Sequence, residues 1–215
     1  MKALSSLAIL FCGLFLNAQV PERFLNEVME IQKKNDSLWD TSKPTLVFTG
    51  SSSIRMWKDL QERFPNQQVL NTGFGGSQFS DLELYLDELI LNYDPVKVFI
   101  YEGDNDVSAK VKLRNIVDTS ERILNVLQQK KQDMRIVLIS AKPSISRWEL
   151  RRKYRRLNRK LSRLAEKTNG VDFVDVWYPM LIKRKVKQDI FIEDGLHMNT
   201  KGYDIWYEVL KTHVN

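Results

Sequence analysis

Five short runs of aliphatic, β-branched and aromatic residues punctuate the chain, at residues 45–49 (TLVFT), 67–71 (QQVLN), 96–101 (VKVFIY), 135–140 (RIVLIS) and 171–176 (VDFVDV). Between them the apolar positions follow a helical period, at 81–91 and 113–129, and as a stripe of Leu150, Tyr154, Leu157, Leu161 and Leu164. Ahead of the first run, Phe24, Leu25, Val28, Met29 and Ile31 predict an amphipathic helix packed on the outside of the domain. Strands alternating with helices imply βαβ units and a parallel sheet covered on both faces. No internal repeat, low-complexity tract or linker breaks the pattern, so residues 19–215 form one α/β domain. In such sheets the site lies beyond the carboxyl ends of the strands. Those ends read Gly50-Ser51-Ser52-Ser53, then Asn71 to Gly76 (NTGFGG), then Glu102-Gly103-Asp104-Asn105-Asp106.

The 215 residues are 43% hydrophobic and 28% charged, enough to bury a core. The start of the chain has a different character. Lys2 precedes an apolar stretch at 3–16 (ALSSLAILFCGLFL) that is short for a membrane span, and Asn17-Ala18-Gln19 offers a cleavage point. Residues 1–18 therefore read as a signal peptide, and the mature protein as exported, either periplasmic or secreted. An N-terminal membrane anchor is the alternative. Bulky Phe11 before Cys12 argues against lipidation of that cysteine. Removing residues 1–18 takes away Lys2 and no acid, so the formal charge of +6 becomes +5. It also removes the only cysteine, which excludes disulfides, a thiol nucleophile and a thiolate metal site.

The mature chain has two histidines. His213 lies where chains fray and is a poor candidate. His197 follows Asp194 by three residues, in DGLHMN, a spacing at which a turn lets the carboxylate reach Nδ1–H. That contact fixes the tautomer and leaves Nε2 free as a base for Ser52 at the rim. The competing reading is that Asp194 and Asn199 satisfy turn and cap hydrogen bonds, with His197 incidental. An acyl-transfer site also needs donors for an oxyanion. Ser52 N–H, Gly76 N–H and the Asn105 amide are the candidates, although tight turning and an Asx-turn explain Gly76 and Asn105 equally well taken singly. The elbow motif G-x-S-x-G is absent, because Ile54 stands where its second Gly would be.

Four ordered blocks carry a family resemblance: FTGSSSIRMW with Ser52, NTGFGGSQFSDL with Gly76, YEGDNDV with Asn105, and DGLHMNTKGY with Asp194 and His197. The chain resembles the SGNH, or GDSL-type, hydrolases from about residue 45 to 207. SAKPSISRWELRRKY and VDFVDVWYPM are similar to the acetylhydrolase-like branch of that family. The resemblance implies a flavodoxin-like three-layer α/β/α sandwich on a five-stranded parallel sheet. It implies ester hydrolysis without a cofactor, with Ser52 as nucleophile, His197 as base held by Asp194, and an oxyanion hole of Ser52 N–H, Gly76 N–H and Asn105. One departure stands out: the family's Gly-Asp-Ser is Gly50-Ser51-Ser52 here. The change leaves the support of the nucleophile loop open, and three serines in a row allow the register to slip to Ser51 or Ser53.

Two further features invite other chemistry. Residues 147–163 hold nine Lys/Arg, but their apolar stripe reads as a surface helix with a solvated basic face rather than a nucleic-acid site. The field of that helix could attract acidic glycans. Glu102, Asp104 and Asp106 have oxygens for a cation but lack the rest of a Ca²⁺ loop, so no metal is expected. Arg147 and Trp148 either line the pocket or pack and pair at the surface. The sequence thus predicts an exported serine esterase for short acyl groups, acetyl first, on a glycan, a short-chain lipid or another small-molecule ester. It predicts no cofactor, no nucleic-acid partner and no membrane span after signal removal. A non-catalytic sugar- or lipid-binding module and an acyltransferase are the rival readings.

Overall fold

The computed structural model describes residues 22–214, so the expected signal peptide lies outside the described residues. The helix expected near the N-terminus is α1, Leu25–Asp36. The five runs are the strands β1 (Thr45–Gly50), β2 (Gln68–Gly73), β3 (Lys97–Tyr101), β4 (Arg135–Ile139) and β5 (Val171–Val174). They form one parallel sheet in the order β2-β1-β3-β4-β5. The register pairs Thr45 with Gln68, Leu46 with Lys97, Lys97 with Arg135 and Ile136 with Val171. This is the flavodoxin-like order of a doubly wound sheet, whose strand order reverses at β1/β3.

The pleat sends alternate residues to opposite faces, and each face buries its own core. Val47, Val98, Ile100, Ile136 and Leu138 pack with Val28 of α1 and with α4 (Phe79–Leu84), α5 (Leu86–Leu89), α7 (Leu113–Lys130) and α8 (Arg151–Lys167). On the other face Leu46, Phe48, Phe99, Tyr101, Val137 and Ile139 meet α2 (Ser52–Arg55), α3 (Leu60–Arg63) and α9 (Thr200–Leu210). Phe48 and Phe99 stack on neighbouring strands at 4.1 Å between ring centroids. The basic helix is laid down as its stripe predicts, with Tyr154, Leu157 and Leu161 buried. Asp104–Ser108 is a short α6, and Leu181–Ile182 with Lys185–Val186 make a small antiparallel pair, β6 and β7.

One element differs from expectation. The periodic segment 81–91 is not a single helix, because Tyr85 leaves helical geometry at φ −125° and ψ 29° between α4 and α5. At that break the Tyr85 ring meets Phe74 edge-on at 6.4 Å. No helix among the described residues is long and apolar enough to cross a membrane.

Candidate active site

Strand β1 ends on a residue only glycine tolerates. Gly50 has φ +124°, and a Cβ there would stand 2.0 Å from the Tyr101 carbonyl oxygen of β3. The tight exit lets Ser51 N–H donate to that same oxygen at 3.0 Å, and Phe74 N–H donate to Gly50 O at 2.8 Å. The chain then enters α2 with its serines in three different environments. Ser51 is buried at the N-cap, and Ser53 is buried with its carbonyl accepting from Tyr203 Oη at 3.0 Å. Ser52, half-buried, places Oγ 2.9 Å from His197 Nε2.

His197 is carried by the loop before α9, whose cap Asn199 accepts from Gly202 N–H. Asp194 does two things there at once. Its Oδ1 accepts from Leu196 N–H and His197 N–H at 2.8 and 2.9 Å, which makes the turn, while Oδ2 stands 2.5 Å from His197 Nδ1. Partial burial opposes ionisation of Asp194, but the imidazole and the two backbone N–H groups prevail and hold its pKa down to about 2. The turn and the imidazole contact, competing explanations in sequence, coexist in one carboxylate.

The other rim residues follow β2 and β3. Gly76 has φ +73°, a conformation side chains resist, and its N–H has no acceptor among the described residues. Ser52 N–H opens α2 and is one of the donors a helix cannot satisfy internally. Asn105 Nδ2 donates to Ser77 O at 2.9 Å, and its Oδ1 accepts from Arg147 Nη1 at 3.1 Å. These two contacts fix the amide orientation and leave the second Nδ2 hydrogen available.

Behind Asn105 lies a buried polar network that the sequence reading did not assemble. Asp104 Oδ1 takes Arg147 Nη1 at 2.6 Å and Tyr154 Oη at 2.7 Å, and Oδ2 takes Tyr101 Oη at 3.1 Å. Lys142, fully buried, sits 3.7 Å from Asp104 Oδ2 and donates to the Leu196 carbonyl at 2.6 Å. Burial pushes the Asp104 pKa up, yet the cations of Lys142 and Arg147 win and hold it below its usual range. Burial lowers the Lys142 pKa, and the Asp104 charge only partly offsets this. Lys142 thereby ties the loop carrying His197 to the loop carrying Asn105. A lysine directly after a buried strand, in SAK, was the available signal.

The carboxylates of the third loop do not converge as a cation site would need. Asp106 accepts from Phe79 N–H, and Glu102 Oε1 takes the Ser77 hydroxyl at 2.5 Å. Among the described residues no group of three His, Cys, Asp or Glu side chains could hold a metal. His213 lies at the opposite end of the sheet, where its carbonyl accepts from Lys97 Nζ at the start of β3.

A hydroxyl, an imidazole and a carboxylate in series, at the strand ends of a doubly wound sheet, are the layout of a serine hydrolase. The profile of the GDSL-like lipase/acylhydrolase family matches residues 36–205, and the chain belongs to that family. It is accordingly a serine ester hydrolase. Solved structures agree on the fold. A Streptococcus pneumonia protein provisionally described as a platelet activating factor is 25% identical, with 89% of this chain and 94% of that one covered at a TM-score of 0.78. A GDSL-like lipase from Bacteroides thetaiotaomicron is 21% identical over 86% of this chain and 96% of its own, at a TM-score of 0.74. An acetyl xylan esterase from Geobacillus stearothermophilus is 21% identical over 78% and 93%, at 0.62. No curated protein sequence matches the chain.

Proposed function

We propose that the protein is an exported esterase that removes short acyl groups, acetyl in particular, from a glycan or small-molecule ester. Ser52 attacks the ester carbonyl while His197 Nε2 takes its proton, and Asp194 holds the resulting imidazolium. The tetrahedral oxyanion is received by Ser52 N–H, Gly76 N–H and the free Asn105 amide hydrogen. Its collapse releases the alcohol, protonated by His197, and leaves an acyl-Ser52. Water deprotonated by His197 then frees the acid. The observation that carries this reading is the continuous contact from Ser52 Oγ to His197 Nε2, 2.9 Å, and from His197 Nδ1 to Asp194 Oδ2, 2.5 Å. The partly exposed imidazole gives water a route to the acyl-enzyme, which favours hydrolysis over transfer. Acetyl is supported by the acetylhydrolase-like blocks and by the named activity of the Geobacillus stearothermophilus neighbour. Export is supported by Lys2, the apolar stretch at 3–16 and Ala18.

Hydrolysis of p-nitrophenyl acetate and butyrate by wild type, Ser52→Ala and Ser53→Ala tests the assignment, with circular dichroism to check folding. Ser52→Ala should lose at least about 10³-fold in kcat, and Ser53→Ala should stay active. An inactive wild type or a fully active Ser52→Ala would overturn it.

A further inference from the structure

The loop that follows β4 has two sides. One side belongs to the site already described: Arg147 holds Asn105, and the Ile145 and Ser146 N–H groups donate to Gly195 O in the loop of His197, at 2.9 and 3.1 Å. The other side opens a cleft of about 520 Å³ lined by Trp148, Arg151, Arg152, Arg155, Tyr178 and Arg184. That volume lies within the roughly 300–1,000 Å³ of ordinary ligand sites. Trp148 stacks on Trp177, and Tyr178 projects from the loop after β5 with 60% of its surface exposed. The cleft is therefore an aromatic surface ringed by guanidinium groups, and its Trp148 directly follows Arg147, which holds Asn105.

Its guanidinium groups, like those of Arg156, Arg159 and Arg163 further along α8, have no carboxylate partner among the described residues. Arg55, Arg63, Arg122, Arg135 and Arg147 each pair with a carboxylate. Within the cleft, Arg151 and Arg152 open α8, at the end of a helix whose dipole disfavours cations. That first turn holds no acidic residue, Glu149 in the 3-10 turn just before it being the nearest acid in sequence, and Leu150 supplies no side-chain cap. The sequence thus concentrates unpaired positive charge where the fold resists it, which an anion would relieve. A second cavity of about 300 Å³ shares Arg155, Trp177 and Tyr178 and continues past Arg159 to Arg163, with the carboxylates of Glu166 and Asp175 also in its lining. From Arg151 to Arg163 the helix rises by roughly 18 Å, longer than one sugar ring.

We infer that this cleft binds the anionic sugar chain that carries the ester cleaved at Ser52. The inference rests on the esterase reading for its substrate and on the cleft for its charge. Carboxylates of uronic acids meet the guanidinium groups as forked hydrogen-bonded pairs, and the apolar face of a sugar ring lies against the exposed ring of Tyr178. A bounded cleft on the loop that also carries Arg147 of the ester-cleaving site favours an acidic glycan over a single-stranded nucleic acid, which the same side chains could also stack and neutralise.

The test uses full-length mature protein carrying Ser52→Ala, titrated with polygalacturonate, neutral xylan and poly(U) at two salt concentrations. Polygalacturonate should bind at least tenfold more tightly than xylan, and more weakly as salt rises. Arg152→Glu/Arg155→Glu should lose at least tenfold in polygalacturonate affinity. Arg156→Glu/Lys160→Glu, the same charge change on exposed residues of α8 outside the cleft, should change it by less than twofold. Equal loss in both double variants, equal binding of xylan, or tighter binding of poly(U) would each overturn the inference. Turnover of p-nitrophenyl acetate by the wild type is followed separately. Its absence removes the esterase reading, while the titration still decides the cleft.

Discussion

Ser51, Ser52 and Ser53 share one chemistry and differ only in where the backbone aims them. Two are enclosed, and one faces an imidazole. Lys142 has a comparable individuality. Its buried ammonium touches nothing that reacts, yet it holds the carbonyl next to His197 and neutralises the aspartate that holds Arg147 on Asn105. It acts as a positioning residue. Lys142→Met keeps an unbranched chain one heavy atom shorter and removes the charge. It should lower kcat on p-nitrophenyl acetate roughly 10- to 100-fold with little change in KM, through small displacement of His197. Urea unfolding should show a stability loss of about 3 kcal/mol, because one partner of a buried pair is removed. A variant that lost stability but kept kcat would reduce Lys142 to a packing role.

At the level of elements, the proposed nucleophile Ser52 depends on how β1 ends. A methyl group at Gly50 would meet the Tyr101 carbonyl at 2.0 Å and force an alanine into φ +124°. Gly50→Ala should cost at least about 3 kcal/mol and lower Tm by roughly 6–12 °C, measured by thermal unfolding. Activity should fall too, because the same turn aims Ser52. The strands were legible in sequence because each is a short apolar run bounded by turn residues, and the observed bounds fall within two residues of those runs. The helix carrying Tyr154, Leu157 and Leu161 was legible from its stripe for the same reason. The break at Tyr85 was not, since 81–91 keeps its apolar period through it. The rim residues Ser52, Gly76, Asn105, Asp194 and His197 stood out through strand ends and motif order. The network of Asp104, Lys142, Arg147 and Tyr154 did not, because its partners lie 43 and 50 residues apart and no local spacing links them.

Across the whole molecule, carboxylates give stability a pH dependence of two opposing kinds, one from buried acids and one from the exposed Asp194. Burial raises the Asp106 pKa from 3.8 to about 6, the Phe79 N–H contact notwithstanding. A raised carboxyl favours its protonated form in the folded state. Its contribution is therefore greatest below pH 3.8 and is lost as pH rises to about 6. Roughly two pKa units correspond to about 3 kcal/mol. Asp106→Asn should flatten that decline, read as the difference between wild-type and variant unfolding free energies from pH 4 to 7; parallel curves would sink the assignment. Glu102, raised by burial, adds to the same trend in both proteins. Asp194 works in the opposite sense, its contribution complete above 3.8 and lost as pH falls through about 2.

Ser52 and His197 meet across 145 residues of chain. The proposed base arrives on the loop just before α9, after all five strands have been laid side by side. A nascent chain still emerging from the ribosome carries the serine but has no group to deprotonate it. Such a polypeptide is chemically inert until its final segment docks, so synthesis and the capacity to cleave esters are separated in time by the topology itself.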